Sequence, residues 1–278
     1  MEYDFYLTLP SNGRKSLELY PDNTVARYRT QLHHAINLED GFWEVALAEI
    51  IFPMSFYNVR KNTFWYKYSV ETPEELDLEP MDIANLDGKQ NLEYMGNIDR
   101  EQKLEYIPQG HYSKVEQITT LLNNHHTLGN FMKFHWESLT NTVKPKTFIS
   151  SDMRFSVEFG DEIKTMLGIE NDEEEMVSKK PVNLFSTMPR ELYVYCDIVE
   201  PQLVGDTAAP LLRIVPVENV EKFGHVNCKI YNSLHYMPVM KKYFDTVEID
   251  ILTGTGDLAP FEFGSSIVKV HFRKRSAK

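Results

Sequence analysis

The sequence predicts a mainly β protein: a single jelly-roll β-sandwich, eight antiparallel strands in two sheets, with an inserted mixed α/β domain. Three observations lead there. The last third of the chain alternates apolar and polar residues with almost no helical period. Leu192, Val194, Cys196 and Ile198 share one face of 192–198, and Val247, Ile249 and Ile251 share one face of 246–251. Segment 267–272 repeats the pattern. Successive side chains of a strand leave opposite faces, so period-two alternation marks a half-buried antiparallel strand. The second observation is a count. Candidate strands near 3–9, 24–32, 43–52 and 63–70 join those near 191–199, 210–217, 244–252 and 266–273. Eight strands in two packed sheets is the jelly-roll number. The third is that residues 71–188 mix helix and strand patterns, whereas both flanks are nearly pure strand.

The elements follow in order. Tyr3, Phe5, Leu7 and Leu9 alternate with polar neighbours until Pro10-Ser11-Asn12-Gly13 turns the chain. Pro21-Asp22-Asn23 is a second turn, and a strand over 25–32 follows. Asp40-Gly41 is a hairpin-type dipeptide. Over 43–52, two Ala and two Glu make helix a competitor. Gly41 and Pro53 bound the segment at strand length, which favours strand. Segment 64–70 is an aromatic-rich strand. Segment 73–80 is acidic, bounded by Pro73 and Pro80, and aperiodic, as expected of a long loop within 71–100. Ser113 as cap, with Glu116 completing a capping box, opens a helix whose apolar stripe is Val115, Ile118, Leu121 and Leu122. Short strands are expected over 132–136, 147–150 and 154–159. A short helix over 162–167 stops at Gly168. The domain reading is therefore 1–70 as the first half of the sandwich, 71–188 as the insertion, and 189–278 as the second half.

Composition excludes several classes. Apolar residues make up 42% of the chain and aromatic residues 12%, enough for a sizeable core. The net charge of −12 argues against a nucleic-acid binder. The one exception in view is the basic tail of Arg273, Lys274, Arg275 and Lys278. Cys196 and Cys228 are too few for a disulfide framework and lack the short spacing of a zinc site. Cys196 on an apolar strand face reads as a buried reduced thiol, suited to a reducing compartment. Met1-Glu2-Tyr3-Asp4 opens without an apolar core, so no signal peptide is expected. No apolar run approaches the ~18 residues of a membrane span.

No catalytic, cofactor-binding or metal-ligating residue is selected by any motif. Gly254-Thr255-Gly256-Asp257 lacks the third glycine and the following helix of a dinucleotide fingerprint, and reads as a hairpin turn. His33-His34 and His125-His126 are adjacent pairs, and strand neighbours point apart, so chelation of one ion is not expected. The acidic stretches 74–79 and 172–175 lack the glycine-centred spacing of a calcium loop. No Gly-x-Ser-x-Gly occurs, and no helix N-terminus is placed to activate either thiol toward a histidine such as His235. Phe56, Tyr57, Phe64, Trp65, Tyr66 and Tyr68 crowd one segment. That crowding fits a sandwich core better than an exposed contact surface, though both stay open.

Several blocks carry a family resemblance. They are 5–12 (FYLTLPSN) with Pro21-Asp22-Asn23-Thr24, then 43–50 (WEVALAEI) with Phe52-Pro53 and Tyr57-Asn58-Val59. Next come 107–113 (IPQGHYS), 192–202 (LYVYCDIVEPQ), Val204-Gly205-Asp206-Thr207 and Pro210-Leu211-Leu212-Arg213. The last are Tyr236-Met237-Pro238-Val239, 244–251 (FDTVEIDI), 260–264 (PFEFG) and Val270-His271-Phe272-Arg273. In this order and over nearly the whole chain, they resemble the minor capsid (penton) proteins of the Maverick/Polinton group. These are virus-like DNA transposons with relatives among virophages and adinto-like viruses. Residues 71–105 match least.

The resemblance implies a single jelly roll that forms homopentamers at the fivefold vertices of an icosahedral shell, located in the virion. It implies self-association and a double-jelly-roll major capsid protein as partners, a host-surface receptor as a further candidate, no cofactor and no enzymatic activity. Synthesis is expected in the host-cell cytoplasm, with assembly there or in the nucleus. A carbohydrate- or receptor-binding β-sandwich is the alternative, and a glycosidase built on paired carboxylates is the third reading.

Overall fold

The computed structural model describes residues 4–38, 41–71, 103–148, 154–171 and 176–275. The acidic stretch 73–80, the run 172–175, Asp40 and Lys278 lie outside the described residues. Two compact units are present, Met1–Phe56 with Met188–Lys278, and Tyr57–Thr187.

The first unit opens with β1 (Asp4–Pro10), α1 (Arg14–Leu19), β2 (Arg27–Asn37) and β3 (Phe42–Pro53). The second unit holds β4 (Trp65–Glu71), β5 (Lys103–Tyr106), α2 (Val115–Asn124), α3 (Leu128–Phe131), β6 (Met132–Glu137) and β7 (Thr142–Thr147). It continues with β8 (Arg154–Phe159), α4 (Asp161–Leu167), β9 (Ile169–Asn171) and β10 (Met176–Ser178). The chain then completes the first unit with β11 (Glu191–Cys196), β12 (Gln202–Val204), β13 (Thr207–Ala209) and β14 (Leu211–Pro216). Last come β15 (Val226–Ile230), β16 (Met237–Pro238), β17 (Tyr243–Leu252) and β18 (Ile267–Arg275).

The first unit is a mainly β, jelly-roll-type sandwich of two antiparallel sheets. In one sheet the order is β1-β18-β3-β15, with the short β16 also pairing with β3. In the other it is β14-β11-β17-β2. Alternation places Leu9, Val45, Leu47, Ile50, Phe52, Val268, Val270 and Phe272 from the first sheet in the core. Tyr28, Leu192, Val194, Val247, Ile249 and Ile251 meet them from the second. Each such side chain contributes roughly 1.5–3 kcal/mol relative to exposure, so these two faces dominate the sandwich. Segment 42–53 is a central strand rather than a helix, because β18 and β15 flank it on both sides. The hydroxyl of buried Tyr28 donates to the carbonyl of Leu9 at 3.2 Å, which satisfies the one polar atom it brings inside.

Three sequence expectations are corrected. The strand near 63–70 is not a sandwich strand: β4 pairs with β5 and β8. The second unit accordingly starts at Tyr57 rather than at residue 71. The place beside β3 goes to β15, whose apolar residues Val226, Cys228 and Ile230 face outward. The helix near 113 is capped differently from expectation. Its first turn is closed by Gln117, whose Oε1 accepts from the N–H groups of Ser113 at 2.8 Å and Lys114 at 3.0 Å. Glu116 takes no part in it. Segment 142–147 forms β7, starting earlier than the strand expected over 147–150, of which residues 149 and 150 lie outside the described residues.

The second unit packs α2 and α4 with the sheet β5-β4-β8 and the hairpin β6-β7. Ile118, Leu122, Phe134, Phe159, Ile163, Leu167, Phe64 and Tyr66 are its core. Gly168 ends α4 at φ +67°, as the sequence indicated.

Candidate assembly surface

Chemistry-bearing residues do not converge. Among the described residues, no three His, Cys, Asp or Glu side chains are placed to hold a metal ion. Cys196 is buried in the sandwich, and desolvation pushes its thiol up to about 12. Cys228 is exposed on β15, and its thiol is also raised, by desolvation and by the Glu49 carboxylate at 3.7 Å. Residues 253–257 form the turn the sequence indicated. Thr253 N–H donates to the Asp257 carbonyl at 2.8 Å, and Gly256 takes φ +86°. His33 and His34 do not point apart: their rings lie 4.1 Å from each other, opposite a register shift between Phe244 and Thr246. His125 and His126 lie just after α2, outside any strand, with rings 4.5 Å apart. Among the described residues, no helix is long and apolar enough to cross a membrane.

Of the crowded aromatics, Phe56, Phe64, Tyr66 and Tyr68 resolve as core, whereas Tyr57 and Trp65 are half-buried. Phe56 lies against Phe261 in the first unit, and Phe64, Tyr66 and Tyr68 are buried in the second.

What the first unit does present is edges and ends. Strand directions bring the start of β3, the start of β17 and the end of β18 to one end of the sandwich. The register of β16 on β3 continues through a bond from the Val239 N–H to the Trp43 carbonyl at 3.0 Å, which sets Met240 opposite Phe42. On the other side of Phe42 stands Arg275. Phe42 is 78% exposed and Tyr243 70%. Beside this row, Arg273 donates to Glu44 at 2.8 Å and its guanidinium stacks 3.5 Å over the Tyr236 ring. Tyr236 in turn shares a 2.8 Å hydrogen bond with Nδ1 of His271. The basic tail is therefore partly spent: Arg273 and Arg275 both face Glu44.

The four outer strands differ in how their free backbone groups are treated. On β2 the outward N–H groups are capped by side chains. Arg27 N–H donates to Thr24 Oγ1, Arg29 N–H to Asn23 Oδ1 and Gln31 N–H to Ser16 Oγ, all within 2.9–3.0 Å. The six-residue α1 and the turn after it supply those caps, a feature the alternation pattern could not reveal. On β14, Pro216 removes a donor, the register is broken between Val194 and Tyr195, and Arg213 ties to the Ser233 carbonyl at 3.1 Å. Proteins blunt strand edges by such devices, because an open edge is a template for another strand. On β1 and β15 no comparable cap is present among the described residues.

Comparison with known proteins follows the same lines. No family model matches the chain, and no curated protein matches its sequence. Among solved structures it is similar to the mavirus penton protein, with TM-score 0.54 and 9% identity over 98% of this chain and 100% of that one. A chain of the Sputnik virophage structure determined by cryo-EM aligns with TM-score 0.47 and 11% identity, over 98% of each chain. The chain thus has the overall fold of a solved virophage penton protein, at an identity that speaks to fold alone.

Proposed function

We propose that this chain is a structural capsid protein of the penton type. In this reading it forms homopentamers at the fivefold vertices of an icosahedral shell, beside a double-jelly-roll major capsid protein, and resides in the virion. The observation that carries the reading is the end-to-end likeness to the mavirus penton protein, with neither chain leaving a domain unmatched. The ordered sequence blocks from Phe5 to Arg273 support it independently, since they resemble the same class of protein. Residues 57–187 are then an insertion borne by the shell-forming sandwich. A cyclic pentamer needs two different, complementary patches on each subunit, because its contacts run head to tail. The carbohydrate-binding alternative is less well supported, since its aromatic residues are largely in the cores. An enzymatic role has no selected residues behind it.

The test is native mass measurement of the purified chain, alone and mixed with its major capsid protein, followed by particle imaging. Fivefold rings or incorporation into vertices are expected. A chain that stays monomeric at every concentration and ignores the major capsid protein would refute the proposal.

A further inference from the structure

We infer that copies of this chain join edge to edge, β15 of one copy pairing antiparallel with β1 of the next. The inference rests on the ring reading above and specifies its contact.

The phase of each edge follows from flanking hydrogen bonds. Met54 N–H donates to the His225 carbonyl at 2.7 Å and Tyr231 N–H to the Ala48 carbonyl at 2.9 Å, at the two ends of the β15–β3 ladder. Bonded and non-bonded pairs alternate in antiparallel ladders. Asn227 and Lys229 therefore bond to β3, and Val226, Cys228 and Ile230 turn their N–H and C=O groups outward. Those three residues also carry the exposed side chains of β15, Val226 at 67% and Ile230 at 68%. On β1, Ser11 N–H donates to the Ser266 carbonyl at 2.8 Å, which sets the opposite phase for Asp4, Tyr6 and Thr8. These three likewise direct their backbone groups away from β18, and they are the exposed positions of the strand.

The two edges are complementary in number, spacing, face and sense. Each offers outward groups from three residues spaced two apart. Both sets lie on the same outer face, as the row Thr8–Lys269–Glu49–Ile230 across the sheet demonstrates. The strand β1 runs parallel to β3 and antiparallel to β15. Rotation about an axis along the strands preserves that sense, so β15 meets the next β1 antiparallel. Repeating one such head-to-tail contact generates a ring when its rotation closes, which the ring reading above requires. The second sheet is less suited to this, because β2 is capped and β14 has a broken register and lacks a donor at Pro216. Strand addition of this kind draws its affinity from main-chain hydrogen bonds.

Cys228 supplies a built-in probe. In the full chain carrying Tyr6→Cys, a short bismaleimide is expected to yield a covalent ladder ending at the native ring mass. Adding Cys228→Ser should abolish the ladder. Asp4→Cys and Thr8→Cys repeat the measurement at the neighbouring registers. Cys228→Pro removes an outward N–H without touching the β3 ladder. It should raise the concentration needed for assembly by about tenfold or more and leave the unfolding curve in place. Native rings that cross-link from none of the three β1 positions would overturn edge pairing while leaving the ring reading intact. Dimers cross-linked through Cys228 in the unmodified chain would overturn it too, since they mean β15 against β15. A chain monomeric throughout, with or without the major capsid protein, overturns the ring reading itself.

Discussion

Asn58 donates from its side-chain amide to the carbonyl of Leu184 at 2.8 Å, across 126 residues of chain. The same amide nitrogen donates to the Tyr112 carbonyl at 2.9 Å, and its oxygen accepts from the Tyr112 N–H at 2.8 Å. The Thr187 hydroxyl then donates to the Asn58 carbonyl at 2.8 Å. One fully buried residue thus ties the start of the second unit to its middle and its end.

Asn58→Ala should therefore destabilise the second unit sharply. It leaves two carbonyls and an N–H without their partner in a buried site, at roughly 1–3 kcal/mol for each group left unsatisfied. We expect a loss of about 3 kcal/mol in denaturant unfolding, with Asn58→Asp no better because it gives up both amide donors. A loss below about 1 kcal/mol would mean that water replaces the amide.

His125 should make the second unit sensitive to acid. Its Nδ1 accepts the Leu128 N–H at 3.1 Å, so the neutral ring is the form the fold uses. Its edge-on contacts with Tyr66 and Tyr68 remove it from water. Desolvation, then His126, lowers its pKa below the ordinary histidine value of about 6.5, partly offset by Glu105. A lowered histidine pKa means that the unfolded chain takes the proton first. Stability is thus complete above about pH 6.5 and declines as pH falls from there toward the folded pKa. Denaturation midpoints at neutral and mildly acid pH should show this decline, and His125→Gln should flatten it. A midpoint that follows pH equally in His125→Gln would assign the effect elsewhere.

The two thiols should separate cleanly under alkylation. Cys196, buried with its thiol pushed up to about 12, should react only on unfolding. Cys228 is accessible but raised by burial and Glu49, so it should label slowly near neutrality and faster as pH rises. Mass spectrometry after timed labelling reads both, and Glu49→Gln should speed Cys228. Equal labelling of the two in the native chain would contradict this placement of Cys196 in the core.

Alternation alone indicates strands near 191–199, 244–252 and 266–273, which the structure forms over 191–196, 243–252 and 267–275, and it names the buried faces of the first two, because burial on one side writes a period of two into the residues themselves. The helix after Ser113 and the turn at 253–257 were legible for the same kind of local reason. Pairing was not. Segment 64–70 alternates as well as any sandwich strand, yet its partners are β5 and β8, and nothing in its own residues says so. Segment 226–230 alternates too, but with the pattern inverted: Val226, Cys228 and Ile230 face out, and Asn227 and Lys229 face in opposite Phe52 and Ile50. A reading that sends apolar residues inward has no reason to pick it. Asn58 appeared only as one residue in a recurring block, since a single amide shows its worth when distant backbone groups close around it. Period and composition follow from which side of a strand meets water, and the sequence states that directly. Which strand lies beside which, and which edge stays open, is decided by contacts between residues far apart in the chain, and only the folded structure brings those together.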